Sequence, residues 1–387
     1  MPRSAFAVIY ITVFVDLMGF GIVLPQLPFY LRELGASGVG VGAALTAYSG
    51  AQFIAAPFLG RFSDKVGRRP VILVALLGTS VSLTVSGLAG TLWLLILSRT
   101  LAGAFGGSVA PAQAYIADST LPQDRARYMG GIGAAIGLGL IMGPAIGALL
   151  SPFGFGTAAF VAAAIAFANF IFGWFRLKES VPSLPNRTPS GASWFRAAIT
   201  RRNMPALLLA TFVLMIAFVG MEATFALIGD DRFGLEPLVL GFILAYVGAL
   251  VVSVQVMVVG PLSARIGEKR LAMLGALLIA GGLGAIPLSP TLWIAATFLG
   301  ITAVGQGVLN PGITTLNSLI ADQQAQGGAL GLQQSVSALA RAIGPVLAGA
   351  LFDLGDAWPY WVGALCALIG FVLIASMRNV PRSRPND

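Results

Sequence analysis

Residues 60–69 read GRFSDKVGRR, five charged side chains and two glycines in ten positions. On either side the chain is almost wholly apolar: AYSGAQFIAAPFL over 47–59 and PVILVALLGTSVSLTV over 70–85. Only 10% of the 387 residues are charged while 57% are hydrophobic, with a mean hydropathy of +0.88. A soluble domain cannot hide that much apolar surface. A charged knot between two such runs marks a place where the chain leaves a bilayer and turns back.

Working outward, twelve long uncharged apolar stretches recur at about 5–29, 39–60, 70–89, 92–117, 128–150, 157–177, 204–228, 237–262, 270–288, 291–320, 328–353 and 358–377. Each is near the roughly 20 residues needed to cross about 30 Å of hydrocarbon. Barrel strands alternate in hydrophobicity, whereas these stretches are apolar all round. The expectation is an all-α polytopic membrane protein. The first stretch runs through Asp16 past Pro25 without a small-residue cleavage pattern, so it reads as a span rather than a removable leader. The one cysteine, Cys366, falls in the last span and can form no intrachain disulfide.

The net charge of +8 invites a nucleic-acid reading, but its distribution argues against it. With the N-terminus in the cytoplasm, 19 of the 23 Lys and Arg fall in inner loops or tails, only Arg32 and Arg232 fall outside, and Arg99 and Arg341 fall within spans. By the positive-inside rule this places both termini in the cytoplasm. The basic balance is an orientation signal, and no nucleic-acid partner is expected.

The opening stretch then lies in the inner loop between spans 2 and 3, and it has an echo. GPLSARIGEK, residues 260–269, occupies the loop between spans 8 and 9, matching Gly60 with Gly260, Ser63 with Ser263, Gly67 with Gly267 and Arg69 with Lys269. Pro111 pairs with Pro311, and Gly143-Pro144 with Gly344-Pro345. The chain therefore reads as two six-span halves, 1–177 and 204–387, joined by a hydrophilic linker over 178–203. Parallel repeats of this kind place a central site at the repeat interface, reached by rocking.

GRFSDKVGRRP resembles the signature loop of the major facilitator superfamily, and the likeness covers essentially the whole chain. The resemblance implies a twelve-helix fold of two pseudo-symmetric halves. It implies a conformational latch in which Gly60 and Gly67 shape the loop and Asp64, Arg68, Arg69 and Asp118 carry a charge relay. Arg69 would pair with Asp118, and Asp64 would sit at the N-terminal end of span 11. The plain alternative is that the loop only anchors topology. In span 5, GLGLIMGPAIGALL holds Gly139, Gly143, Pro144 and Gly147 and is similar to the motif of drug/proton antiporters; a generic small-residue packing face is the alternative. Arg99, followed by Gly103, Gly106 and Gly107, resembles the antiporter motif linked to proton movement. DLMGFGIVLPQLPFYLRELG from Asp16 resembles the start of tetracycline/proton antiporters and their multidrug relatives. Those tetracycline exporters carry a span-3 aspartate where this chain has Ser82, which weakens a metal–tetracycline reading.

Independently of resemblance, Asp16, Arg99, Glu222 and Arg341 are ionisable residues well inside spans, each a functional candidate because a charge there costs roughly 2.5–3.5 kcal/mol. At 1.5 Å rise per residue, Asp16 and Arg99 come within roughly 4 Å in height, as do Glu222 and Arg341. Each half is therefore expected to hold one acid–base pair, as a proton-coupling device or as a static ion pair. There is no histidine, so carboxylates would have to carry any protons. Polar stripes sketch a substrate cavity: Thr12 and Gln26 in span 1, Gln113 in span 4, Gln306 and Asn310 in span 10 and Gln334 in span 11, with Tyr48, Met215 and Phe218 as apolar walls. Amides in membrane helices also serve simply to bridge neighbours. Metal-ligand clusters, nucleophile–base sets and phosphate loops are absent from the sequence, so neither an enzyme nor a resident cofactor is expected. The favoured reading is a monomeric, multi-pass inner-membrane antiporter that exchanges protons for hydrophobic drugs or small molecules. A tetracycline-specific antiporter, or a facilitator of a non-drug solute or lipid, is the alternative.

Overall fold

The structure, a computed structural model, describes residues 3–106, 108–120, 122–179, 203–320 and 326–378. All secondary structure among them is helical. The chain runs through α1 (Arg3–Val23), α2 (Leu27–Glu33), α3 (Gly38–Val66), α4 (Arg68–Gly87), α5 (Leu92–Phe105), α6 (Val109–Ser119), α7 (Pro122–Leu150) and α8 (Phe155–Arg176). It continues with α9 (Met204–Phe233), α10 (Pro237–Met257), α11 (Val259–Ile266), α12 (Glu268–Ala285), α13 (Leu292–Ile320), α14 (Gln326–Leu354) and α15 (Trp358–Ser376).

Among the described residues, eleven stretches are long and apolar enough to cross a membrane. The twelfth expected crossing, 92–117, is built from two shorter helices, α5 and α6. At Gly106 the backbone leaves the helical region, with φ −72° and ψ 40°, and the next helix begins at Val109. The corresponding crossing of the second half, α13, stays continuous through Pro311.

Contacts divide the chain into two compact units: Met1–Arg187 with Leu235–Ala245, and Thr188–Gly234 with Tyr246–Asp387. The expected linker lies outside the described residues over 180–202. Within the first unit α1 packs on α7 and α8, and α4 packs on α5 and α8. Within the second, α9 packs on α14 and α15, and α12 packs on α13 and α15. In crossing order these are the same four partnerships, first with fifth and sixth, third with fourth and sixth. The sequence echo is therefore an echo of packing.

Local signals recur at the same offset. Thr91 and Thr291 cap α5 and α13, their hydroxyls accepting from Leu94 and Ile294 N–H, each at 3.4 Å. Two residues on, Trp93 and Trp293 are 80% and 70% exposed, as suits amphipathic rings at a membrane–water boundary. Gly67 and Gly267 hold φ of 99° and 79°, values that favour glycine, and so allow one helix to end and the next to begin within a single residue.

Candidate functional site

Asp16 sits in the middle of α1 and is 8% exposed. Its carboxylate accepts a hydrogen bond from the Ser108 hydroxyl, and the Thr79 side chain lies close by. Ser108 stands at the start of α6, so the interruption of the fourth crossing brings the hydroxyl to the acid. The same interruption frees backbone groups, and the Gly106 carbonyl accepts from Gln52 Nε2 at 2.6 Å. Arg99, 3% exposed on α5, follows a different route. Its Nη2 donates to Ser86 Oγ on α4, Ser86 in turn donates to Ser98 Oγ at 2.8 Å, and the Tyr48 ring oxygen lies within its electrostatic reach. Arg99 Nε is buried without a hydrogen-bond partner. Asp16 and Arg99 thus share a unit, but the ion pair expected between them is not formed. Each is held by hydroxyls instead.

The span-5 motif has a clear packing role. Along α7, an added Cβ at Gly139 would come within 2.9 Å of Leu17 Cβ and Phe14 O, and one at Gly143 within 2.7 Å of Gly21 Cα and Met18 O. Gly147 approaches Ile22 O closer still. Backbone meets backbone along this seam, and Gln26 seals it by donating to Gly147 O at 3.0 Å, with Pro144 beside Gly21. Gln26 is 3% exposed and committed to this bond. Thr12 is also buried; its carbonyl accepts from Asn169 Nδ2 at 2.9 Å while its hydroxyl has no partner. Gln113 is exposed, and Tyr48 is half-buried and stacks on Phe20 at 5.1 Å.

At the charged loop, the side chains of Asp64 and Asp118 lie outside the described residues. Arg69 donates from Nε to Leu177 O and from Nη2 to Trp174 O, both at 2.7 Å, and lies over the Trp174 ring at 5.6 Å. It therefore satisfies carbonyls at the end of α8, where a cation complements the helix dipole. Lys269 repeats this, donating to Ala375 O and Met377 O at the end of α15. Arg68 Nη1 donates to Ser63 Oγ at 3.1 Å. Glu179, immediately after α8, accepts from the Arg68 N–H at 2.8 Å and the Arg69 N–H at 3.1 Å. A carboxylate is thus delivered to the open N-terminus of α4. The second half differs, because α12 carries Glu268 in its own first turn. Gly60 faces open space in this structure.

In the second unit, Glu222 on α9 and Arg341 on α14 lie close enough to act on each other electrostatically. Both are exposed, as are Asn310 and Gln334, while Phe218 is half-buried. A small recess of about 20 Å³, room for a single polar group, opens between α9, α13 and α14. Met215, Gln306 and Asn310 line it as expected, joined by Thr211, Gln333 and Ser337; Gln334 does not.

Ser86, Ser108, Glu179 and Gln333 were not singled out by sequence. The only available signal was the run of hydroxyls TSVSLTVS over 79–86 in span 3, unusually polar for a span. Glu179 was visible as the first acid after span 6.

The sequence pattern of the Major Facilitator Superfamily matches residues 9–258 and 233–387. The chain is 32% identical to the class C tetracycline resistance protein of Escherichia coli, over 99% of this chain and 98% of that one. It is 30% identical to multidrug resistance protein 2 of Bacillus subtilis, over 96% and 94%. Among solved structures, the human organic anion transporter MFSD10 superposes with a TM-score of 0.73 at 24% identity, over 97% of this chain and 100% of that one, a likeness of fold. With a repeated helical packing, a matching signature loop and full-length relatives at this identity, the chain belongs to the Major Facilitator Superfamily.

Proposed function

We propose that this protein is a proton-coupled antiporter that exports hydrophobic drugs or similar small molecules across the inner membrane by alternating access. The observation that carries the proposal is the Asp16 carboxylate, buried in the middle of a crossing and bound by the Ser108 hydroxyl. A hydroxyl can donate to a carboxylate or accept from a carboxylic acid, so one pocket serves both protonation states. No histidine is present to take this role. Full-length similarity to tetracycline and multidrug resistance proteins supports the export of drugs.

In this reading Asp16 takes a proton from outside and gives it up inside, while Arg99 supplies a fixed positive charge in the same half. Glu222 and Arg341 form the corresponding pair in the second half. Gly60, Asp64, Gly67, Arg68, Arg69 and Asp118 form the inner latch, and both termini are cytoplasmic. The protein works as a monomer.

A tetracycline-specific antiporter is the weaker reading. Ser82 is fully buried, its hydroxyl donating to the Thr79 carbonyl at 2.9 Å, so it offers no carboxylate to a metal chelate.

The test uses inside-out vesicles with a respiration-driven pH gradient and a fluorescent pH reporter. Adding ethidium, chloramphenicol, a fluoroquinolone or tetracycline with magnesium is expected to release protons in wild type and not in Asp16→Asn. Undiminished drug-dependent release in a folded Asp16→Asn protein would sink the assignment of the proton to Asp16.

A further inference from the structure

The recess between α9, α13 and α14 carries information about what it can hold. Its polar lining is Thr211, Gln306, Asn310, Gln333 and Ser337; the rest is Leu214, Met215, Leu309 and Ile313. No lining residue carries a charge. A cation placed there would lose its water with no carboxylate in the lining to replace it, a strongly unfavourable exchange.

The donors and acceptors are unevenly engaged. Thr211 donates its hydroxyl back to Leu207 O at 2.8 Å. Gln333 accepts from Asn317 Nδ2 at 2.7 Å and donates to Thr314 Oγ1 at 3.4 Å, so it is turned toward α13. Gln306 Nε2 faces Asn310 Oδ1 at 3.5 Å, the outer limit of a hydrogen bond. That leaves Gln306 Oε1, an acceptor on a side chain 6% exposed, with no hydrogen-bond partner. A buried acceptor left unpaired costs about 1–3 kcal/mol. A ligand donor would remove that cost.

We infer that this recess is a binding site for the uncharged, hydrogen-bond-donating part of a substrate, a hydroxyl or amide N–H flanked by apolar surface, and that Gln306 Oε1 receives the donor. The inference rests on the export reading above and narrows it. The second half selects neutral donor groups rather than permanent cations. Leu214, Met215, Leu309 and Ile313 supply the apolar flank, with methionine able to adapt to its shape.

Direct binding to purified protein in nanodiscs tests this. Two probes are used: chloramphenicol, which is uncharged and bears O–H and N–H donors, and tetraphenylphosphonium, a permanent cation without donors. Gln306→Leu is expected to raise the Kd for chloramphenicol about fivefold to tenfold, the worth of one hydrogen bond, and to leave tetraphenylphosphonium within about twofold. Ser337→Ala, a smaller change in the buried lining of the same recess, is expected to move only chloramphenicol. An equal loss for both probes overturns the inference, as does unchanged chloramphenicol binding in both variants or no chloramphenicol binding in wild type. Drug-dependent proton release in vesicles separates the two readings. Release driven by tetraphenylphosphonium alone keeps the exporter and rejects the neutral-donor recess, whereas absence of release with every probe rejects the exporter itself.

Discussion

The seam between α1 and α7 makes a sharp prediction for Gly143→Ala. The new Cβ would stand 2.7 Å from both Gly21 Cα and Met18 O. Carbon atoms in good contact lie about 3.5–4.0 Å apart, so the helices must separate by about 1 Å. Both obstructing atoms are backbone, and no rotamer change relieves them. A gap of that size forfeits a quarter to a half of each contact's attraction, and overpacking of this kind costs roughly 1–3 kcal/mol. Alanine returns up to about 1 kcal/mol through helix propensity, leaving a net loss of about 1–2 kcal/mol. Gly133, on the same helix, has nothing within 4 Å of its Cβ position and serves as the control. The assay is thermal unfolding of detergent-purified protein, followed by a thiol-reactive fluorogenic dye on the single, half-buried Cys366. Gly133→Ala should unfold at or above the wild-type temperature and Gly143→Ala clearly below it. The packing argument is refuted if Gly143→Ala unfolds together with Gly133→Ala.

Three further outcomes are expected. Ser86→Ala removes the acceptor of a buried guanidinium, worth about 1.5–3 kcal/mol, and should cut proton-coupled transport roughly tenfold to a hundredfold at normal expression, while Ser86→Thr restores it. Glu179→Gln withdraws a charge from the N-terminus of α4 and should cost about 1 kcal/mol in the Cys366 assay, an effect that shrinks in high salt. Finally, hydrogen bonds from Arg232 hold the Asp356 carboxyl below its ordinary value, so the pair's stabilisation is complete above about pH 4 and fades as pH falls through the lower folded value. With the two side chains 31% and 35% exposed, that contribution is at most about 1 kcal/mol, and unfolding of Asp356→Asn should lack this part of the acid dependence.

The crossings and the repeat were legible because hydropathy reports burial in lipid, and a duplicated loop keeps its glycines where φ is positive. The Asp16–Arg99 pairing was not. Rise per residue fixes height along the bilayer normal, but says nothing about which way a side chain points around its helix. Nor could Ser86 be told from Thr84. Thr84 bonds back to the Ser80 carbonyl in its own helix at 2.9 Å, and the Ser86 hydroxyl stands as near the Ser82 carbonyl, at 3.0 Å, while it faces Ser98 and receives Arg99. A hydroxyl that satisfies itself locally costs a helix little, so its second partner leaves no trace in composition. Gln26 and Asn310 divide similarly, one sealing a helix seam and the other facing a recess, from equivalent places in a polar stripe.

The delivery of Glu179 to α4 has a consequence in time. Glu179 lies 111 residues beyond Arg68, so at about 5–20 residues per second the ribosome needs roughly 5 to 20 s more to make it. Through that interval α4 stands in the membrane with its first amides unanswered. The acid of α12 emerges together with the helix it serves. The earlier-born half therefore waits for its sixth crossing to cap the start of α4, whereas the later-born copy carries that acid from the outset and leaves only Lys269 to wait for the end of α15.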